Sequence, residues 1–270
     1  MPLLLPTRLG RLGVRVVDGP KKAAVLWHSF FVDSRSWNRV LPVLSQLRTI
    51  VLIDGPSFGG SEPLQRPAGI ADCAQAAFEV LDNLGIERAD WVGNGWGGQV
   101  GIAAAAERPR RIRSLVSICA PTRALNGRER RDLQFGLPLM RMFGFPAAIQ
   151  TRILRSILTE RTIAVDPEAV RIVKSGFLGV DRRGLVQAAR SFVLERPSLE
   201  QAALSVESPA VFVAGDARTG WGPADARAVT DRMADARTRT LYGVRNIAPL
   251  EDADAVAGIV REHWRATGRH

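Results

Sequence analysis

Trp91-Val92-Gly93-Asn94-Gly95-Trp96-Gly97-Gly98 is the stretch of this 270-residue chain whose residue types and spacing bear most directly on chemistry. A short apolar run, Ala89 to Val92, leads into it, and an Ala-rich helical run, Gln99 to Glu107, leads out. That is the strand–turn–helix context of a nucleophile elbow, G-x-S-x-G, in which a strained turn presents a serine above a sheet. The serine position holds Gly95. Glycine adopts the disfavoured backbone conformation of such a turn without the roughly 1–3 kcal/mol of strain that other residues carry, so the turn is kept while the nucleophile is discarded. Gly93, Gly95 and Gly98 also spell G-x-G-x-x-G, the dinucleotide fingerprint. Against that reading, Leu115 to Thr122 lacks the acidic residue needed at the end of the next strand, and bulky Trp96 stands where a pyrophosphate would approach the backbone. A dinucleotide-dependent oxidoreductase is therefore the lesser reading, and no cofactor or metal is expected.

The elements that must position this turn are legible from hydrophobic runs. Strands are expected at Gly13–Val17, Ala23–Trp27, Thr49–Ile53, Ala89–Val92, Leu115–Ile118, Ala210–Ala214 and Thr238–Tyr242. Their continuous apolarity requires a mostly parallel sheet covered by helices on both faces. Ala74, Ala77, Phe78 and Leu81 recur at i, i+3, i+4 and i+7, one buried helical face, with Gly85 just beyond as a C-cap. The rhythm breaks after Pro121, and from 122 to 206 only helical patterns occur. The expected organisation is an α/β core of residues 1–121 and 207–270, with a helical cap, 122–206, inserted between strands.

Composition bounds the partners. The formal charge is +10, but lysine occurs only at Lys21, Lys22 and Lys174, so 34 of the 37 basic residues are arginine, scattered along the chain. The local runs Arg108-Pro109-Arg110-Arg111 and Arg128-Glu129-Arg130-Arg131 have no interleaved aromatics and read as solvated faces rather than nucleic-acid sites. Cys73 and Cys119 fall in apolar patterns and read as buried thiols of a reducing compartment. Leu3-Leu4-Leu5, broken by Pro6, is too short for a signal or membrane segment, so a cytoplasmic protein without a membrane partner is expected.

Four stretches, in order, carry a resemblance to the α/β-hydrolase superfamily that covers nearly all of the chain. Leu26-Trp27-His28-Ser29-Phe30-Phe31 resembles its oxyanion loop, followed downstream by Trp37. Asp54 to Ser61 resembles D-x-P-G-x-G-x-S, Gly93 to Gly98 resembles the elbow, and Gly243 to Glu251 resembles the loop G-x-x-H-x-x-x-L-E that brings in a catalytic histidine. The resemblance implies the α/β-hydrolase fold with a helical cap. It also exposes three departures. Gly95 stands at the nucleophile position, Asn246 at the histidine position, and Arg218 at the acid position after the Ala210–Ala214 strand. Of the three histidines, His28 reads as a holder of the oxyanion loop, and His263 and His270 as exposed tail residues. Without a base beside a hydroxyl, Ser-His-Asp acyl transfer has no proton acceptor.

The resemblance implies that the backbone machinery survives this degenerate triad. The N–H of Trp96 and one from the oxyanion loop, taken as Phe30, would form an oxyanion hole at the N-terminal end of the following helix. His28, Ser29, Asn94 and Trp221 would contribute to substrate binding in a capped, largely apolar pocket. The expected ligand is a small carbonyl, ester or carboxylate compound. Two classes stay open: an enzyme whose chemistry needs no serine, or an inactive pseudo-hydrolase that binds a ligand or partner. A monomer and a homodimer are both compatible with the chain.

Overall fold

Ala23–Trp27 is buried at all five positions, the signature of a strand covered on both faces. In the computed structural model, which describes residues 3–217 and 220–267, it is one of eight strands of a single sheet. These are β1 (Leu3–Thr7), β2 (Gly10–Val17), β3 (Ala23–Trp27), β4 (Thr49–Ile53), β5 (Ala89–Asn94), β6 (Ile112–Ile118), β7 (Ala210–Gly215) and β8 (Ala236–Leu241). The spatial order is β1-β2-β4-β3-β5-β6-β7-β8; β2 is antiparallel to both neighbours, and all pairs from β4 to β8 are parallel.

The helices are α1 (Leu41–Leu44), α2 (Ile70–Asn83), α3 (Trp96–Glu107), α4 (Gly127–Phe143), α5 (Ala147–Ile157), α6 (Glu160–Val165), α7 (Pro167–Leu178), α8 (Arg182–Ala189), α9 (Glu200–Leu204), α10 (Pro223–Thr230), α11 (Ala248–Glu251) and α12 (Ala253–Thr267), with a π-helical turn at Arg190–Leu194. Alternate strand residues feed two cores. Val25, Trp27, Val51, Ile53 and Trp91 meet α2, α3 and α10 on one side, while Ala24, Leu26, Ile50, Leu52 and Val92 meet α1 and α12 on the other. Each such fully buried valine, leucine or isoleucine side chain contributes about 1.5–3 kcal/mol.

Between β6 and β7 the chain runs through α4 to α9, with no strand among the described residues. These helices are docked closely on the ends of the parallel strands. A Cβ at Gly176 of α7 would lie 2.3 Å from the Phe31 carbonyl oxygen, so only glycine permits that approach. Arg39 forks to Asp166 at 2.5 and 2.9 Å, fixing the start of α7 to the loop after β3. By contrast α4 turns Phe135, Leu139, Met142 and Phe143 outward, the first 74 % exposed.

The structure departs from the expectations at three points. Leu3–Thr7 is an edge strand paired with β2, where Pro6 is tolerated because an edge residue needs no second ladder partner. The last strand begins two residues earlier and ends one residue earlier than the apolar run suggested, leaving Tyr242 exposed at the turn before Gly243. His263 is not an exposed tail residue but is buried on the core face of α12. Its pKa is pushed down to about 4, first by burial and then by Arg237; His270 lies outside the described residues.

At the amino end of β5 the fully buried Asp90 accepts from Arg48 Nε at 2.7 Å, Arg113 Nη1 at 3.1 Å and Ser114 Oγ at 2.7 Å. The Arg48 guanidinium also lies 4.9 Å above the Trp264 ring. Cys73 and Cys119 are both buried and are not joined in a disulfide.

Candidate functional site

Strand order reverses at β3, whose neighbours β4 and β5 continue the sheet in opposite directions. A crevice at the carboxyl ends of the strands beside such a reversal is the general ligand position of open α/β sheets. Ser29 and Phe30 follow β3, Gly95 and Trp96 follow β5, and Asn246 follows β8. The structure brings all five to one cavity of about 200 Å³. Phe31, Gln99, Phe192 and Arg196 complete much of its wall.

Gly95 adopts φ 55°, ψ −114°, in the left-handed half of the map, and α3 begins at the next residue. Its amide donates to Ile118 O at 2.7 Å, which anchors the turn to the end of β6. A Cβ built on Gly95 would stand 2.2 Å from Ser29 Oγ and 3.0 Å from Ser29 Cβ. The space where an elbow side chain would begin is thus filled by the neighbouring loop's hydroxyl. It also leaves no room for a pyrophosphate to approach the second glycine, which argues against the dinucleotide reading on geometry. Phe31, Ser57 and Cys119 are the non-glycine described residues with positive φ, and all follow strands of the parallel set. Backbone strain of this kind clusters at functional sites.

Among the described residues, no backbone carbonyl or side chain accepts from the N–H of Phe30 or of Trp96. Trp96 opens α3, so its N–H is one of the orphan donors of a helix N-terminus. Its indole packs edge-on against Trp27 at 5.5 Å and stacks on Phe192 at 4.9 Å and 19°. This stack joins the core sheet to the π-helical turn and roofs one side of the cavity.

Three residues expected to touch a ligand are placed elsewhere. His28 is fully buried, and its ring is used up in holding the loop. Gly55 N donates to Nε2 at 2.9 Å, so Nδ1 carries the proton and donates to Ser29 O at 2.7 Å. Burial is the main reason its pKa is lowered, and the Asp54 and Asp33 carboxylates offset this only in part. A neutral imidazole with both nitrogens engaged cannot serve as a base for Ser29. Asn94 is a staple: Nδ2 donates to Ile118 O at 3.2 Å and to Asn246 O at 2.8 Å, tying the elbow to the loop after β8. Trp221 packs into the hydrophobic core and does not line the cavity. Arg218 lies outside the described residues.

The Asn246 loop is held by Glu251, whose carboxylate accepts from Arg245 N at 2.9 Å, Asn246 N at 3.1 Å and, across the chain, Thr159 N at 2.7 Å. At the preceding turn, Gly243 N donates to Asp216 Oδ1 at 2.7 Å, so the carboxylate nearest the expected acid position has a backbone task. Arg196, which the sequence did not single out, is only 4 % exposed and stands in the cavity wall. Its guanidinium donates to Pro197 O at 3.1 Å and Arg123 O at 2.7 Å. A hint was available, because arginine after an apolar helical run (Leu185 to Leu194) and before Pro197 is not the pattern of a solvated basic face. Among the described residues no group of three His, Cys, Asp or Glu side chains is placed to hold a metal, and no helix is long and apolar enough to cross a membrane.

Comparison with known proteins agrees with this geometry. Residues 24–259 match the model of the alpha/beta hydrolase family. A strigolactone esterase of Arabidopsis thaliana is 29% identical over 125 residues, 45% of this chain and 47% of the relative. A fluoroacetate dehalogenase of a Burkholderia species is 34% identical over 108 residues, 37% and 34% of the two chains. The matched segments therefore span half or less of those relatives. Among solved structures, an esterase from Thermogutta terrifontis superposes with a TM-score of 0.89 at 19% identity, covering 99% of both chains. An enol-lactonase from Burkholderia xenovorans gives a TM-score of 0.89 at 22% identity, covering 97% of this chain and 100% of that one. Likenesses at such identity speak for the fold alone. With one family model spanning the parallel strands, the elbow and the loop after β8, the chain belongs to the alpha/beta hydrolase family.

Proposed function

We propose that this protein binds a small, largely apolar carbonyl, ester or carboxylate compound beneath a helical cap of residues 122–206, and polarises it through a backbone oxyanion hole without a Ser-His-Asp triad. The observation that carries this reading is Gly95, in an elbow conformation with Ser29 Oγ in the space of a side chain. The N–H groups of Phe30 and Trp96, without acceptors among the described residues, and the N-terminal end of α3 supply a site for negative oxygen. Asn246 at the histidine position offers no proton acceptor of imidazole basicity, and Arg218 at the acid position cannot orient one.

A second reading, an inactive pseudo-hydrolase that binds without turnover, is favoured by one observation. No His, Asp or Glu is among the described residues lining the cavity. Chemistry there is limited to what electrostatic polarisation or a bound water can drive. The cavity, about 200 Å³, is below the range of about 300–1,000 Å³ usual for drug-sized ligands, which favours a small ligand in either case.

The test is chemical. A fluorophosphonate probe is expected to leave the protein unlabelled, and p-nitrophenyl acetate hydrolysis should stay near the buffer rate. Gly95→Ser alone should gain almost nothing. Gly95→Ser, Asn246→His and Arg218→Asp together should be needed before turnover rises, because triad members act as a unit. Stoichiometric labelling mapped to Ser29 or Ser57, or robust turnover from Gly95→Ser alone, would overturn the triad-free mechanism.

A further inference from the structure

The donors and acceptors around the cavity are unbalanced. Phe30 N–H and Trp96 N–H have no acceptor among the described residues. Ser29 is only 2 % exposed, lines the cavity, and its hydroxyl makes no hydrogen bond among the described residues. Arg196 adds a guanidinium, which stays charged in a protein whatever its hydrogen bonds. The twelve-residue helix α3 directs its positive end to the same place. Gln99, also in the wall, spends its Nε2 on Pro121 O at 3.0 Å. No carboxylate is among the described residues of the wall. The rest of the lining is apolar: Phe31, Leu125, Ile157, Phe192 and Val193.

From this we infer that the ligand is a small apolar acid bound as its carboxylate, with the anionic oxygens seated among Arg196, Ser29 Oγ and the Phe30 and Trp96 N–H groups. The inference rests on the pocket reading above and narrows it from carbonyl, ester or carboxylate to the anionic member. Charge-assisted hydrogen bonds to a carboxylate are shorter and roughly twice as strong as those to a neutral carbonyl. A neutral ester would meet the N–H and hydroxyl donors alone, whereas an anion is also attracted by the positive charge that Arg196 keeps while it donates to Pro197 O and Arg123 O. A cavity of about 200 Å³ suits a single ring or a short acyl chain. Ser29 acts as a ligand-binding hydroxyl, since His28 is not available to activate it.

The experiment is a calorimetric titration with benzoate, its neutral isostere benzamide, and inorganic sulfate, on the wild-type chain and on Arg196→Gln and Ser29→Ala. Benzoate should bind about tenfold or more tighter than benzamide, and sulfate should neither bind comparably nor compete. Arg196→Gln should lose about tenfold or more for benzoate and little for benzamide; Ser29→Ala should lose severalfold for benzoate. If Arg196→Gln does not fold, the wild-type ratio and Ser29→Ala decide the matter alone. Equal affinity for benzoate and benzamide overturns the carboxylate assignment while leaving the pocket reading standing. Sulfate binding as well as benzoate overturns the apolar-acid class. Binding of neither organic probe overturns both, beginning with the pocket.

Discussion

A side chain restored at the elbow meets two separate obstacles, and their sum can be worked out. At φ 55° any residue with a Cβ is strained by about 1–3 kcal/mol. That Cβ would also stand 2.2 Å from Ser29 Oγ and 3.0 Å from Ser29 Cβ. The hydroxyl can rotate away but the Cβ cannot, which adds about 1 kcal/mol of overpacking. Gly95→Ala and Gly95→Ser should therefore each destabilise by about 2–4 kcal/mol. In a chain of this size that lowers Tm by roughly 5–15 °C. Urea unfolding with fixed slope and thermal melts both read the effect. Ser29→Gly removes the collision but not the backbone strain, so the double variant should recover about 1 kcal/mol, a positive coupling in a double-mutant cycle. Costs for Gly95→Ala below about 0.5 kcal/mol, or strictly additive costs with Ser29→Gly, would refute the idea that Ser29 occupies the elbow's space.

Removing the carboxylate in Asp90→Ala should cost about 3–5 kcal/mol, because Arg48 and Arg113 would stay buried beside an empty partner position; a near-neutral result in urea unfolding would deny that cluster its role. His263 takes its proton at about 4 in the fold against an ordinary 6.5, with Arg237 facing it as a like charge and Asp90 and Asp235 as weaker opposite ones. The unfolded chain therefore binds the proton first. Stability is untouched above about pH 6.5 and falls by about 3 kcal/mol as pH drops toward 4, a loss that His263→Gln should flatten in melts across that range. Phe135→Ser and Phe143→Ser, on the outward face of α4, should change stability by no more than about 0.5 kcal/mol while slowing aggregation measured by light scattering.

Much of the scaffold was legible because sheet burial writes itself into the sequence. Ala23–Trp27 and Thr49–Ile53 are strands with the boundaries their apolar runs suggest, and Gly85 has the positive φ of a helix C-cap. Leu3–Thr7 was not legible, since an exposed edge strand has no apolar period and its pairing with β2 is a tertiary fact. The site was half legible. Motif spacing led to Ser29, Phe30, Gly95, Trp96 and Asn246, which converge on one cavity. It could not separate residues that face that cavity from residues that hold it. His28 and Asn94 sit in the same motifs, yet both His28 nitrogens and Asn94 Nδ2 are spent on backbone carbonyls and amides. Arg196 and Phe192 come from the π-helical turn and its exit, and no local pattern states which side of that turn meets the elbow.

Glu251 joins two parts of the chain that lie nearly a hundred residues apart, the start of α6 and the loop after β8. Arg39 repeats the connection, donating both to Asp166 before α7 and to the carbonyl of Leu250. If the helices between β6 and β7 cap the cavity as proposed, lifting α6 to admit a ligand would break Thr159 N from the same carboxylate that orders Asn246. The position of α6 and the geometry of the Asn246 loop are thus linked through one carboxylate. The amide protons of Thr159, Arg245 and Asn246 should then exchange with deuterium as one cooperative unit, and a ligand that fills the cavity should slow all three together.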